Sequence, residues 1–171
     1  MDAKVHQLLN KQITEELYSA YVYLDFANYF ERSGLDGFAN WYKIQAREEI
    51  DHAMLFYQYL HNENQRITLG AIDRPDIKSD GHLEVLMSGL KHEKRVTSLI
   101  NEIYFAATEA RDPRTMQFLD WFISEQAEEE EVNAGNLVTK MELFGSDPKS
   151  LYMLNQELSL RVYTPPSLNL G

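Results

Sequence analysis

The stretch REEIDH, residues 47–52, sits midway through a long helical pattern and places an acid and an imidazole where hydrocarbon is expected. Glu49 and His52 are three residues apart and share a helix face. That face otherwise carries Phe38, Tyr42 and Gln45 on one side and Phe56 and Tyr59 on the other. A stripe of this spacing is buried against neighbouring helices, so the pair is directed into a core.

Three further stripes have the same alternation of three and four. The first runs through Leu9, Ile13, Glu16, Ala20, Tyr23, Ala27 and Phe30. Another takes Leu83, Leu86, Leu90, Glu93, Thr97, Ile100, Tyr104 and Ala107. The last fits Met116, Leu119, Ile123, Gln126, Ala134, Leu137 and Met141, with a register that blurs through the run EEEE at 128–131. The spacing predicts helices over 3–32, 36–63, 82–111 and 113–144, and a shorter one near 148–161. Asp112-Pro113 and Asp147-Pro148 each set a capping side chain before a proline at the first helical position. Ser33-Gly34 and Gly145 are stop signals.

Connection lengths select the topology. A few residues join the first helix to the second and the third to the fourth, so each pair is a hairpin. Between the second and third lie residues 64–81, which are 18 in number. A helix of about 28 residues is ~42 Å long, whereas 18 extended residues reach ~60 Å at most. The connection is long enough to run the length of a bundle and make helices two and three parallel, as a four-helix bundle with one long crossover requires. The expected fold is therefore all-α, with a short fifth helix. The expected domain is 1–162, followed by a non-helical tail, 163–171.

The polar interruptions of the four stripes (Glu16, Glu49 with His52, Glu93, Gln126) all fall near the midpoints of their helices. A midpoint keeps its height whichever way the helix points, so the five side chains converge on one layer. Desolvating one carboxylate costs several kcal/mol, against a whole-domain stability of ~5–15 kcal/mol. No Lys or Arg lies on the stripes near this layer. Any one of these residues alone would read as a satisfied structural group; five at one level must share protons, hold water or bind a cation. Carboxylate oxygen, one imidazole and no sulfur suit iron or manganese, with zinc a competitor. Acids placed both to bridge and to terminate suggest a pair of metals.

Composition narrows the rest. The net charge is −11 and no basic patch is present, which argues against nucleic acid. No run of about 18 apolar residues exists to span a membrane. The N-terminal MDAKVHQLLNKQ lacks a basic segment leading into an apolar one, so no signal peptide is expected. With no cysteine, disulfides and thiolate sites are excluded, which suits a cytoplasmic location.

Taken with the crossover and the short fifth helix, ELYSAYVY at 16–23, EEIDH at 48–52, Glu93 and SEQAEEE at 124–130 resemble the prokaryotic non-haem ferritins, over nearly the whole chain. The resemblance implies a ferroxidase that oxidises Fe(II) with dioxygen at a di-iron centre and deposits ferric mineral in a hollow homo-oligomeric cage, usually of 24 subunits. It implies that Glu16 and His52 are terminal ligands of one iron, that Glu49 bridges, and that Glu93 and Gln126 serve the second. Glu48, Glu125 and Glu129, with Glu128 nearby, resemble a third iron site. Tyr23, two turns beyond Glu16, would supply an electron, with Trp121 a further donor. A second Glu-x-x-His, as in bacterioferritins, would need Glu at 126 and His at 129; the sequence has Gln126 and Glu129, so the second iron is expected to be held more weakly. Position 50 is Ile where bacterioferritins carry a haem-ligating methionine, so no haem is expected. His6, His61, His82 and His92 lie off the metal stripe and read as surface or interface residues. Gly89 and Gly135 fall inside helices, where close approach of a neighbour would explain them. The competing readings are a storage shell without oxidation chemistry of its own, and a soluble di-iron oxidase or peroxidase acting on a small substrate.

Overall fold

The computed structural model describes residues 1–75 and 81–170, excluding the side chains of Glu130 and Glu131. Within them the secondary structure is helical: α1 Ala3–Arg32, α2 Asp36–Asn62, α3 His82–Glu109, α4 Pro113–Ala127, a π-helical segment Glu128–Gly135, α5 Asn136–Phe144 and α6 Pro148–Leu158. The fourth bundle helix expected over 113–144 is thus one rod whose middle is wound wider, and α6 is the short fifth helix.

The chain's own capping groups set the turns. Leu35 N–H returns to the Phe30 carbonyl at 2.9 Å and closes α1, and Asp112 N–H returns to Ala107 at 2.9 Å to close α3. Asp112 then caps α4 through Thr115 N–H (3.2 Å), and Asp147 caps α6 through Ser150 N–H (2.8 Å). No side chain of its own turn caps α2; instead Asn155 of α6 accepts from Gly37 N–H (2.8 Å) and Phe38 N–H (3.2 Å), satisfying donors the helix cannot. A Cβ at Gly37 would lie 1.7 Å from the Asn155 carbonyl oxygen, so the docking of α6 requires glycine there.

The crossover climbs α1 one turn at a time. His6 Nε2 donates to the Arg66 carbonyl (2.7 Å), Thr68 N–H to Asn10 (2.7 Å) and Gly70 N–H to Thr14 (3.2 Å). At the other end of α1, the Tyr29 hydroxyl meets His82 Nδ1 at 3.0 Å, where α3 begins. Helices α2 and α3 therefore run parallel, as the loop length predicts; residues 76–80 of the crossover lie outside the described residues.

Two hydrophobic clusters fill the bundle, one on each side of the polar layer. One is built on Phe26, Phe30, Phe38, Leu86 and Leu137, the other on Leu9, Phe56, Leu60, Ile100 and Phe122. The stripes of α1 and α2 are buried at every expected position. On α4 the expected seam residue Ile123 is exposed, and Phe122 and Phe118 point inward instead. Steps of three and four fit either choice, and the ring with more apolar area takes the interior. Gly89 is explained by packing: a Cβ would come within 3.2 Å of the Tyr42 hydroxyl and 3.4 Å of the Phe26 ring. Tail residues 163–170 are non-helical but held down: the Tyr163 hydroxyl donates to Asp51 (2.6 Å), Trp121 Nε1 to Ser167 (3.0 Å) and Asn62 to the Leu170 carbonyl (2.9 Å). Gly171 lies outside the described residues.

Candidate metal centre

The polar layer is assembled between the two clusters. Glu16, Glu49, His52, Glu93 and Gln126 are all buried, with 1–4% of their surfaces exposed. Glu16, Glu49 and His52 each bring a ligand atom within 4.8 Å of the others. His52 Nδ1 stands 3.4 Å from Glu49, and Nε2 is turned to Glu125 at 4.0 Å. Glu93 and Gln126 form the second half: Gln126 Nε2 donates to the Glu93 carboxylate at 3.0 Å, and the Tyr23 hydroxyl donates to its other oxygen.

The layer contains three acids and, among the described residues, no Lys or Arg in hydrogen-bonding contact with them. Neutral amides do what they can. Gln12 donates to Glu16 at 2.9 Å, and Gln45 to Glu49 at 3.4 Å and Glu129 at 2.7 Å. Both glutamines stand one turn before the glutamate they serve, a repeated Gln-x-x-x-Glu that was visible in the sequence and marks support rather than ligation. Amides do not suffice. Glu16 Oε2 is buried and has no hydrogen-bond partner among the described residues, a rare condition for a buried polar group.

Electrostatics follow from this arrangement. Burial, then the charge of Glu49, pushes the Glu16 carboxyl up to about 8. Glu93 is likewise pushed to about 8 by burial and then by Glu129, with the Tyr23 and Gln126 hydrogen bonds opposing. Glu49 is raised by burial and then by Glu93. The Tyr23 hydroxyl, buried beside Glu93, is also raised, which keeps it a proton donor. Burial among like charges thus favours the protonated forms of these carboxyls when no cation is bound. A cation of hard character would replace those protons, meet the orphaned oxygen of Glu16 and find imidazole and carboxylate ligands on three helices. The side chains present fit such an ion.

A second pocket, of about 260 Å³, opens beside the layer and is lined by Glu48, His52, Trp121, Glu125, Glu128 and Glu129, with tail residues 164–167 across it. Glu48, Glu125 and Glu129 are therefore brought to one place, but under different conditions. Glu129, in the π-helical segment, is buried, accepts from Gln45, and its charge acts on both Glu49 and Glu93. Glu125 is partly exposed and raised chiefly by burial. Glu48 is pushed up to about 7 by burial, against the opposing pull of Arg161, which forms an ion pair with it at 2.6 Å. Arg161 had no local sequence signal, since it lies over a hundred residues from its partners. His92 is off the metal stripe and half-buried. It bonds to Ser19 at 2.8 Å and lies edge-on to Tyr23, and burial and then Arg95 lower it to about 4.

The chain resembles known proteins along most of its length. The family model described as "Ferritin-like domain" matches residues 6–144. A Staphylococcus epidermidis protein named "Bacterial non-heme ferritin" is 32% identical over 155 residues, 91% of this chain and 93% of the relative. A Haemophilus influenzae "Probable bacterial non-heme ferritin-like protein" is 30% identical over 158 residues, 92% of this chain and 95% of the relative. Among solved structures, a novel open pore ferritin from the hyperthermophilic archaeon Archaeoglobus fulgidus superposes with a TM-score of 0.92 at 39% identity, covering 95% of this chain and 98% of the other. A structure described as a humanized archaeal ferritin gives 0.93 at 40% identity, covering 96% and 99%.

Proposed function

This chain belongs to the ferritin family, and from that premise we propose that it is a ferroxidase that stores iron. In this reading Fe(II) is the substrate. Two ions bind in the layer, dioxygen oxidises them, and the ferric product is deposited as mineral inside a homo-oligomeric cage, of 24 subunits by analogy, in the cytoplasm. Residues 1–162 are the functional domain and 163–171 its tail, and no haem takes part.

The observation that carries the proposal is the buried Glu16 carboxylate, one oxygen of which has no hydrogen-bond partner among the described residues, in a group where Glu16, Glu49 and His52 each offer a ligand atom within 4.8 Å of the others. Hard carboxylate oxygens stabilise ferric over ferrous iron, which favours giving electrons to dioxygen. The chain's own residues do the rest. In this reading Glu16 and His52 would terminate one ion, Glu49 would be shared by both, and Glu93 would serve the other with Gln126, a neutral and weaker ligand. Glu16, Glu49 and Glu93 give up their protons as metal enters, so binding is coupled to proton release. Tyr23, hydrogen-bonded to Glu93, is placed to hand on a proton and an electron. Glu48, Glu125 and Glu129 line an outer pocket against His52, suited to a third ion in transit. Among the described residues no helix is long and apolar enough to cross a membrane.

Assembly is supported by apolar side chains left outside. Ile50, Met54 and Tyr57 make an exposed stripe at helical spacing on α2, and Phe105, Tyr152 and Met153 are 62–67% exposed. Such area on one subunit suits burial against further copies.

The test mixes metal-free protein with Fe(II) in air and follows ferric absorbance by stopped flow. The parent should oxidise iron rapidly and retain many ferric ions per chain in solution. Glu49→Ala combined with His52→Ala should abolish the fast phase; oxidation at the parental rate would remove these residues from the site. Light scattering on the same sample separates a cage from a small oxidase, since a mass near that of one or two chains leaves no container.

A further inference from the structure

The outer pocket already has a cation, and the chain supplies it. Arg161 follows α6 at the start of the C-terminal segment. Its Nη2 donates to Glu48 Oε2 (2.6 Å), and its Nη1 to Gln45 Oε1 (2.9 Å) and to the Trp41 carbonyl (3.3 Å). The guanidinium lies 4.1 Å over the Trp41 ring. Both members of the ion pair are well covered, with side-chain exposures of 15% and 17%. Because Arg161 engages the oxygen of Gln45, the amide nitrogen faces Glu129 and Glu49. One guanidinium therefore fixes Glu48 directly and steadies two further carboxylates through a single amide. Beyond it, residues 164–167 form one wall of the pocket that Glu48, Glu125, Glu128 and Glu129 share with His52.

We propose that Arg161 is a positioning residue of the metal centre, whose guanidinium holds Glu48 and Gln45 so that a metal cation occupies the outer pocket only by taking Glu48 from it. The inference rests on the metal-centre reading above. A guanidinium is always charged, weakly hydrated and pre-shaped for a carboxylate. Shielded from water, it is a strong competitor for Glu48, whereas among the described residues no Lys or Arg is paired with Glu16, Glu49 or Glu93. The consequence is an order of affinity built into the fold: the inner layer binds first and tightly, the outer pocket later and weakly. Arg161 thereby keeps the outer pocket a place of passage.

The experiment is an isothermal titration of the intact protein with Zn²⁺, which has no redox chemistry, comparing the parent with Arg161→Gln and Arg161→Lys. Arg161→Gln should bind its weaker Zn²⁺ about tenfold more tightly, the equivalent of losing one charge-assisted contact that competes with the metal. The tightest site should be unchanged, and Arg161→Lys, which keeps the charge, should stay near the parent. A weaker phase that is unchanged or further weakened in Arg161→Gln overturns the proposal. Glu49→Ala with His52→Ala should lose the tightest Zn²⁺. If it does not, the metal-centre reading fails; if it does while Arg161→Gln matches the parent, only the present proposal fails. Should Arg161→Gln not fold, Trp41 emission in a Trp121→Phe background reports the same competition. Zn²⁺ drawing the guanidinium off the ring should shift the emission across the weak phase, and a flat signal there overturns the proposal.

Discussion

Glu48 and Glu49 are neighbours in sequence and differ in almost everything that decides their chemistry. Glu49 is 3% exposed, lies beside Glu16, His52 and the Gln45 amide, and feels the charges of Glu93 and Glu129. Glu48, a hundred degrees round the same helix, faces the rim and is paired with a guanidinium from the far end of the chain. Burial among other acids raises the carboxyl of the first and favours its protonated form, whereas the second is held in an internal ion pair. A proton leaves when a metal arrives, while a bonded guanidinium must be displaced. One residue's rotation on a helix therefore separates a site that waits for metal from a site that resists it.

The sharpest way to break this comparison is to remove each charge in turn. Glu49→Gln should slow the fast phase of Fe(II) oxidation by about 100-fold, the loss of a ligand shared by both ions, whereas Glu48→Gln should slow it only about threefold. Equal effects in stopped-flow traces would erase the distinction. Next in size is Gln126→Glu, which adds a further acid to the inner layer. Its second Zn²⁺ should bind about tenfold more tightly by calorimetry, and the metal-free protein should lose stability, because another buried carboxyl has no cation. An unchanged affinity would show that position 126 does not reach the ion.

The retained protons give a pH test. In the folded metal-free protein Glu16 and Glu93 sit near 8, above their ordinary 4.5. Between those values the folded form holds protons that the unfolded form has released, so stability is fully present below about 4.5 and is lost as pH rises through about 8. The melting temperature of metal-free protein should fall by about 4 °C or more from pH 5.5 to 8.0. Glu16→Gln, which carries no titrating proton, should flatten part of that slope. A melting temperature that rises over this interval would mean the acids are ionised and already compensated. The smallest effect expected is that of Tyr23→Phe, which removes the hydroxyl bonded to Glu93 and should slow oxidation a few-fold, on the order of 3 to 10, leaving the tightest Zn²⁺ in place. Loss of that tight site would make Tyr23 structural.

The stripes of α1 and α2, the two hairpins and the crossover were legible because helical periodicity and loop length are local properties of the chain. The convergence of Glu16, Glu49, His52, Glu93 and Gln126 was legible too, because helix midpoints share a height irrespective of direction. The seam of α4 was not. Ile123 and Phe122 satisfy the same spacing, and only the packing against His52 and Phe56 of α2 selects the ring. The wider winding of Glu128–Gly135 showed as a blurred register without declaring its cause, and it decides that Glu129 turns inward to Gln45.

From sequence alone followed an all-helical bundle with a belt of acids at its waist, since burial patterns and the cost of unpaired charge need no coordinates. Which carboxylate would find a partner was settled only by the folded chain. Glu48 and Arg161 stand 113 residues apart, and nothing in local spacing encodes a contact whose existence depends on where a non-helical tail comes to rest.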